Sequence, residues 1–428
     1  MDVTIEESTV SGSARAPPSK SHTHLAILAA GYSSGARINN PLLSADTRAT
    51  MAAVDAFDGD VTEDENDLDV VGFEGRPAVP ADVIDCWNSG TTIRLISGTA
   101  ALADGTTVLT GHRSLRSRPH GPLLDALDQL DCRAESTQGD GRAPLVITGP
   151  TDGGQVSLPG DVSSHFVAPL LMASSVTPSG IEIDVEGSIT SISHVDITRE
   201  ILDEFGIESE ETQSGYRVPG DQYYEPLEGE YSVPVDFASV ACLLAAGVLA
   251  ADDEVTIQSA YPSAQRESQI VEIIDEMGGA IEWDHENGLL TVRQSDLEGI
   301  SVNITNMPDL LAIVAVLGAA ADSTTWIEGG TAGRIKTTAR PAAMVDSLTQ
   351  MGVQIDEQAD SLVIDGGGSE PRGATVDGWH DHRIITALSA LALVADGETT
   401  ITDAEHVESA FPDFSDQLFA LGADVRWA

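Results

Sequence analysis

A chain of 428 residues with 21 Lys and Arg against 69 Asp and Glu, a formal net charge of -48, is long enough for two or three domains with ample cores. Its apolar fraction of 41% excludes a disordered acidic tail, and its charge argues against nucleic-acid binding, because phosphate neutralisation needs clustered Lys and Arg. Such an acidic skin repels itself until salt screens it, which points to a salt-rich cytoplasm and makes the two lysines of the chain, Lys20 and Lys336, conspicuous.

The N-terminal stretch "MDVTIEESTV" alternates like a strand and lacks the basic start of a secretory signal. The longest apolar run, "FASVACLLAAGVLAA", is shorter than the roughly 20 residues a membrane-spanning helix needs. Cys86, Cys132 and Cys242 are odd in number and lack metal-type spacing, so they are expected as small core residues in a reducing compartment.

From Lys20 onward one unit recurs six times: a polar cluster, a helix of small apolar residues, a turn, then an alternating strand. The turns fall at Gly35, Gly105, Gly180, Asp253, Ser323 and Gly397. The period is roughly 70 to 75 residues, the size of a supersecondary unit. A second helix follows each strand, in "TRATMAAVDAF", "GPLLDALDQL", "DITREILDEFG", "ESQIVEIIDEMGG", "PAAMVDSLTQMG" and "DFSDQLFALG", and then a short strand such as "CRAEST", "AIEWD" or "VQIDE". The first helix of each unit is apolar all round and should be buried, whereas the second is amphipathic and should cover an outer surface. Each unit is therefore predicted as helix, strand, helix, strand. Residues 218–234, rich in Pro, Gly and Tyr, read as a connection between two three-unit domains.

The unusual residues collect ahead of the buried helices: Lys20 and Ser21, Asn88 to Thr91, Ser163 to His165, Asp236, Asp309, and His380 to Arg383. A helix start carries unpaired N–H groups and about half a positive charge, so it can take phosphate or carboxylate without net basic protein. Lys20 would strengthen such an anion site. Plain helix capping by Ser, Asn and Asp is the alternative at any one of these clusters. His380, Asp381 and His382 are adjacent in sequence and so are not expected to converge on one metal ion. Trp87 and Trp379 flank these motifs and are read as packing residues.

The motifs "PPSKS", "NSGTTIR", "LTGHRSLRSRP", "PGDVSSHF", "MPD", "RIKTTAR" and "DHRI", in this order over the whole chain, resemble the EPSP synthase family, the 3-phosphoshikimate 1-carboxyvinyltransferases of the shikimate pathway. The resemblance implies an α/β, two-domain enolpyruvyl transferase fold, an inside-out α/β barrel with three repeats and buried parallel helices per domain. It places an N-terminal, acceptor-side domain at 15–230, a C-terminal domain at 1–14 and 231–428, and the active site in the cleft between them. It implies transfer of the enolpyruvyl group of phosphoenolpyruvate to the 5-hydroxyl of shikimate 3-phosphate with release of phosphate, by a cytoplasmic monomer. No metal, organic cofactor, nucleic acid or membrane partner is implied.

Carried over by position, Lys20 matches a lysine that contacts phosphoenolpyruvate and helps proton transfer, and Ser21 an acceptor ligand. Gly90 and Arg118 match donor-binding positions, Ser163, Ser164 and Ser191 acceptor-side ones, and His165 a position that contacts both substrates. Asp309 matches the aspartate that takes the proton of the attacking hydroxyl, Lys336 an acceptor-binding lysine, and Arg340 and Arg383 donor-binding arginines. The chain departs from the family at Leu25 (arginine), His165 (glutamine), Thr337 (glutamate), Ala339 (aspartate) and the segment Ile192 to His194, and Ser409 stands where bacterial members have lysine. Donor contacts are thus retained while acceptor contacts change. A paralogous carboxyvinyltransferase with a different anionic acceptor and a non-catalytic anion-binding homologue stay open as alternatives, with His24 and His165 as candidates to compensate if the acceptor is shikimate 3-phosphate.

Overall fold

Helices whose sequences carry Ala, Leu, Ile and Gly on every face can only be stable out of water, and these form the centre of each half of the molecule. The computed structural model describes residues 1–159, 164–187, 192–227, 229–329 and 339–428. The chain divides into two units, one of residues 18–233 and one of residues 1–17 with 234–428.

In the first unit the helices alternate in chain order: α1 (Lys20–Tyr32), α2 (Ala45–Ala56), α3 (Gly90–Ala100), α4 (Gly121–Gln129), α5 (Val167–Ser174) and α6 (Ser193–Glu204). The second unit continues with α7 (Phe237–Ala250), α8 (Ile270–Glu276), α9 (Leu311–Ala320), α10 (Arg340–Gln350), α11 (His382–Ala392) and α12 (Phe414–Ala420). The odd-numbered helices are the buried ones; in α7 and α5 every residue is buried, and α11 packs against both α7 and α9. Small residues make this possible. A Cβ on Gly98 of α3 would lie 2.4 Å from the carbonyl oxygen of Pro169 in α5, so only glycine permits the two backbones to approach so closely. The even-numbered helices keep one polar face, with Ser44 closing a capping box on α2.

Among the described residues there are six four-stranded sheets built to one plan. In one of them Ile84–Asp85 runs parallel to Thr106–Thr110 with α3 as the crossover; Thr106–Thr110 then pairs antiparallel with Leu145–Thr148, which pairs with Arg133–Ser136. The predicted helix, strand, helix, strand unit is therefore too simple: each sheet holds two further strands, in this one a strand leading into the buried helix and a strand completing a hairpin. The leading strands are as short as Ile84–Asp85 and Ser301–Asn303, too brief to show an alternating pattern. The stretch read as a plain connection at 218–234 also contains a strand, Glu230–Ser232, which pairs parallel with Gly35–Asn39.

Two strands leave their sequence neighbours. Val10–Arg15 pairs parallel with Ala251–Gln258 of the second unit yet runs on into α1 of the first. Glu230–Ser232 belongs to the first unit yet runs on into α7 of the second. Val3–Ile5 completes the sheet of Thr399–Thr402 and Val425–Trp427. The three cysteines are buried free thiols. No helix among the described residues is long and apolar enough to cross a membrane.

Candidate active site

In the unit of residues 18–233 the start of α1 is capped by Ser19, whose hydroxyl accepts from the His22 amide at 3.4 Å. Lys20 is the first residue of the helix and donates to Asp46 Oδ2 at 2.6 Å, from the first turn of α2. Burial works against the Asp46 charge, but Lys20 outweighs it and holds the carboxyl below its ordinary range. Ser21 follows, half-buried.

Gly90 opens α3 behind its cap Ser89. A Cβ on Gly90 would stand 2.9 Å from Arg118 Nη1 and 3.5 Å from Arg94 Nη1, so the absent side chain is the space two guanidiniums occupy. Arg118 donates to Asn88 Oδ1 at 3.2 Å; burial pulls its guanidinium below the usual value, with Asp46 acting in the other direction. A chain of hydrogen bonds ties the neighbouring helices together: His24 Nδ1 to Thr50 Oγ1 at 2.7 Å, Thr50 Oγ1 to Thr92 Oγ1 at 2.8 Å, and Thr92 Oγ1 donating to Ser89 Oγ at 2.7 Å. Ser164 and His165 lie on the single turn Ser164–Phe166 that leads into α5, Ser164 fully buried, and the His165 ring lies 4.1 Å from that of His194 in α6. Leu25 is fully buried and supplies packing alone.

In the other unit Asp309 lies on the turn Pro308–Leu310 ahead of α9. Arg340, the first residue of α10, donates from Nη1 to Asp309 Oδ1 at 2.6 Å, from Nε to Asp381 Oδ2 at 2.7 Å and from Nη2 to Asp381 Oδ1 at 3.3 Å. Asp381 also caps α11, accepting from the Arg383 amide at 2.9 Å. Arg383 in turn reaches Asp236 Oδ1 at 3.0 Å and Ser239 Oγ at 3.2 Å, and Asp236 caps α7. Burial opposes the charges of Arg340, Arg383, Asp381 and Asp236. The two arginines nevertheless stay above their ordinary value because of the carboxylates beside them, and Asp381 and Asp236 stay below theirs because of the arginines.

The structure thus brings together Gly90 and Arg118, with Lys20 linked to them through Asp46, in one unit, and Asp309, Arg340 and Arg383 in the other; Lys20, Gly90, Asp309 and Arg383 stand where buried helices begin, and Arg340 opens the outer helix α10. Ser163, Ser191, Lys336 and the departure at Thr337 lie outside the described residues. Ala339 precedes α10 without a side-chain cap, and Ser409 donates to the His406 carbonyl on an exposed turn. Sequence alone did not single out Asp46 or give Asp236 and Asp381 their arginine partners. The signal was weak: an acidic residue in the first turn of α2 and two at helix caps. Trp87 is 62% exposed, so the expectation that packing explains it does not hold. No group of three or more His, Cys, Asp or Glu suited to a metal occurs among the described residues, His380 and His406 included.

Two buried imidazoles of the first unit make its stability pH-dependent. His24 and His120 are lowered from 6.5 to about 3, in both cases first by burial, then by Lys20 for His24 and by Arg94 and Arg118 for His120. The unfolded chain binds these protons below about pH 6.5 and the folded chain does not, so stability is complete above that pH and falls as pH drops toward about 3. The loss approaches about 1.4 kcal/mol per pH unit for each ring. Urea unfolding of the whole chain between pH 7 and 4 should show this acid slope, and His24→Asn should flatten it; an unchanged slope in the variant would contradict the assignment.

The architecture and these helix-start clusters define the class first: a two-unit α/β protein of the enolpyruvyl transferase fold. The fold matches EPSP synthase from Acinetobacter baumannii with a TM-score of 0.88 over 100% of both chains at 23% identity. It also matches the enolpyruvyl transferase NikO from Streptomyces tendae with a TM-score of 0.76 over 99% and 98% of the two chains at 18% identity. The chain belongs to the EPSP synthase (3-phosphoshikimate 1-carboxyvinyltransferase) family, whose pattern it matches over residues 5–418. Proteins named 3-phosphoshikimate 1-carboxyvinyltransferase from the halophilic archaea Halobacterium salinarum and Natronomonas pharaonis are 54% and 53% identical to it, covering 99% and 100% of this chain and 100% and 99% of theirs.

Proposed function

We propose that this chain transfers the enolpyruvyl group of phosphoenolpyruvate to the 5-hydroxyl of shikimate 3-phosphate and releases phosphate. The observation that carries this is end-to-end identity above one half with relatives bearing that name. In this reading the hydroxyl oxygen bonds to C2 of the donor while C3 takes a proton, giving a tetrahedral intermediate. The C2–O bond to phosphate then breaks and C3 returns the proton. Asp309 accepts the hydroxyl proton, and Lys20 contacts the donor and assists the transfer at C3. Gly90, Arg118, Arg340 and Arg383 bind the donor; Ser21, Ser163, Ser164, His165, Ser191 and Lys336 bind the acceptor. The reaction needs no metal or organic cofactor, and in this reading the enzyme works in the cytoplasm as a monomer.

The paired arginines fit a doubly anionic donor, since guanidinium forks match carboxylate and phosphate geometry. A second reading, the same transfer to another anionic acceptor, is favoured by two observations: Leu25 is buried and apolar where the family has arginine, and the rings of His165 and His194 lie tilted against each other at 4.1 Å. Mixing protein, phosphoenolpyruvate and shikimate 3-phosphate in molar salt and following phosphate decides between them. Release with that acceptor supports the first reading; release only with a different acceptor supports the second. Arg118→Ala should raise the Kd for phosphoenolpyruvate by about tenfold or more, read by calorimetry, because it removes a charge-assisted fork.

A further inference from the structure

We infer that Arg94, which has no role in the assignments above, is a further binding residue for the dianionic phosphoryl group of the donor; the identity of that ligand rests on the transferase reading. Arg94 lies one turn beyond Gly90 on α3, and helical side chains lean back toward the N-terminus, so its guanidinium returns to the helix start. Its Nη1 and that of Arg118 approach the same point over Gly90, at 3.5 Å and 2.9 Å.

These two guanidiniums differ from the other arginines at helix starts. Arg340 and Arg383 are clamped by Asp309, Asp381 and Asp236 at 2.6 to 3.3 Å. Arg94 has no carboxylate partner among the described residues, and its buried Nε has no hydrogen-bond acceptor there. It rests instead on the Phe166 ring, 5.0 Å from the centroid. Beside both arginines lies His120, fully buried and with neither ring nitrogen paired among the described residues, while Asp46, which acts on Arg118, is itself bonded to Lys20 at 2.6 Å. Burial first, then Arg118, draws the Arg94 guanidinium down to about 10. Two half-buried guanidiniums that meet at one point, with no carboxylate hydrogen-bonded to either among the described residues, favour an anion between them. A phosphoryl dianion supplies the missing charge, and the amides at the start of α3 add donors to it.

The test uses the full chain in molar salt, with calorimetric titration of inorganic phosphate and, separately, of phosphoenolpyruvate. Arg94→Gln should weaken both by about tenfold or more and leave the ligand-free melting temperature unchanged or higher, because an uncompensated buried charge has gone. A residue that merely supports the fold would lower that temperature. Arg94→Lys, which keeps the charge and loses the fork, should fall between wild type and Arg94→Gln. Unchanged affinity for both anions in a folded Arg94→Gln would overturn the inference, as would a lowered ligand-free melting temperature with affinities retained. Weakened phosphate binding in a protein whose wild type releases no phosphate from phosphoenolpyruvate would sink the transferase reading and leave this site standing.

Discussion

Asp309→Asn is expected to slow turnover by about 10²- to 10⁴-fold while leaving phosphoenolpyruvate affinity within a few-fold of wild type. The amide preserves the shape of the carboxyl but cannot take a proton from the attacking hydroxyl. Arg340 loses a charged acceptor at 2.6 Å yet keeps both of its contacts to Asp381, so the start of α10 stays anchored. Single-turnover rates of phosphate release, set beside donor titrations by calorimetry, separate the two effects. A variant with a wild-type rate would remove Asp309 from proton transfer, and one that bound no donor would make it a binding residue.

Asp381→Ala should cost about 3–5 kcal/mol of stability, the usual penalty for orphaning one member of a buried ion pair. Asp381 is 2% exposed and Arg340 4%, so water cannot replace the lost acceptor at Nε. The same change uncaps α11, whose first amides then lack the acceptor that Arg383 N now uses at 2.9 Å, adding about 1 kcal/mol. Asp381→Asn, which leaves an oxygen for the cap, should lose less. Lys20 and Asp46 form the instructive contrast: their side chains are 32% and 28% exposed, so Asp46→Ala should cost no more than about 1 kcal/mol. Denaturant midpoints for the three variants give the ranking directly, and equal losses for Asp381→Ala and Asp46→Ala would refute it.

The parts of the fold that were legible in the sequence are those set by local chemistry. The buried helices announced themselves because α7 and α9 carry apolar residues on every face, and the outer helices because theirs repeat every third or fourth position. Strands of two or three residues carried no such signal, and their existence depends on partners far along the chain, as with Glu230 opposite Arg37. The site divides in the same way. Gly90, Arg118, Arg340 and Arg383 were marked by motif. Two of the carboxylates that clamp those arginines, Asp381 and Asp236, arrive from other repeats, and no spacing rule connects Arg340 to Asp381 or Arg383 to Asp236. Arg94 was inside a quoted motif, yet nothing in one dimension tells a guanidinium with a counter-ion from one without.

Order of manufacture and order of completion differ in this chain. The stretch from Met1 to Pro17 is made before residues 18–233, but its partners at Ala251–Gln258, Thr399–Thr402 and Val425–Trp427 are made after them. Val10–Arg15 therefore stays without its strand partner until Ala251–Gln258 is made, and Val3–Ile5 until Thr399–Thr402 and Val425–Trp427 are, while residues 18–233 have all their own sheet partners once Glu230–Ser232 has emerged. A nascent chain stalled near residue 234 would hold residues 18–233 with their sheets complete and residues 1–17 without strand partners.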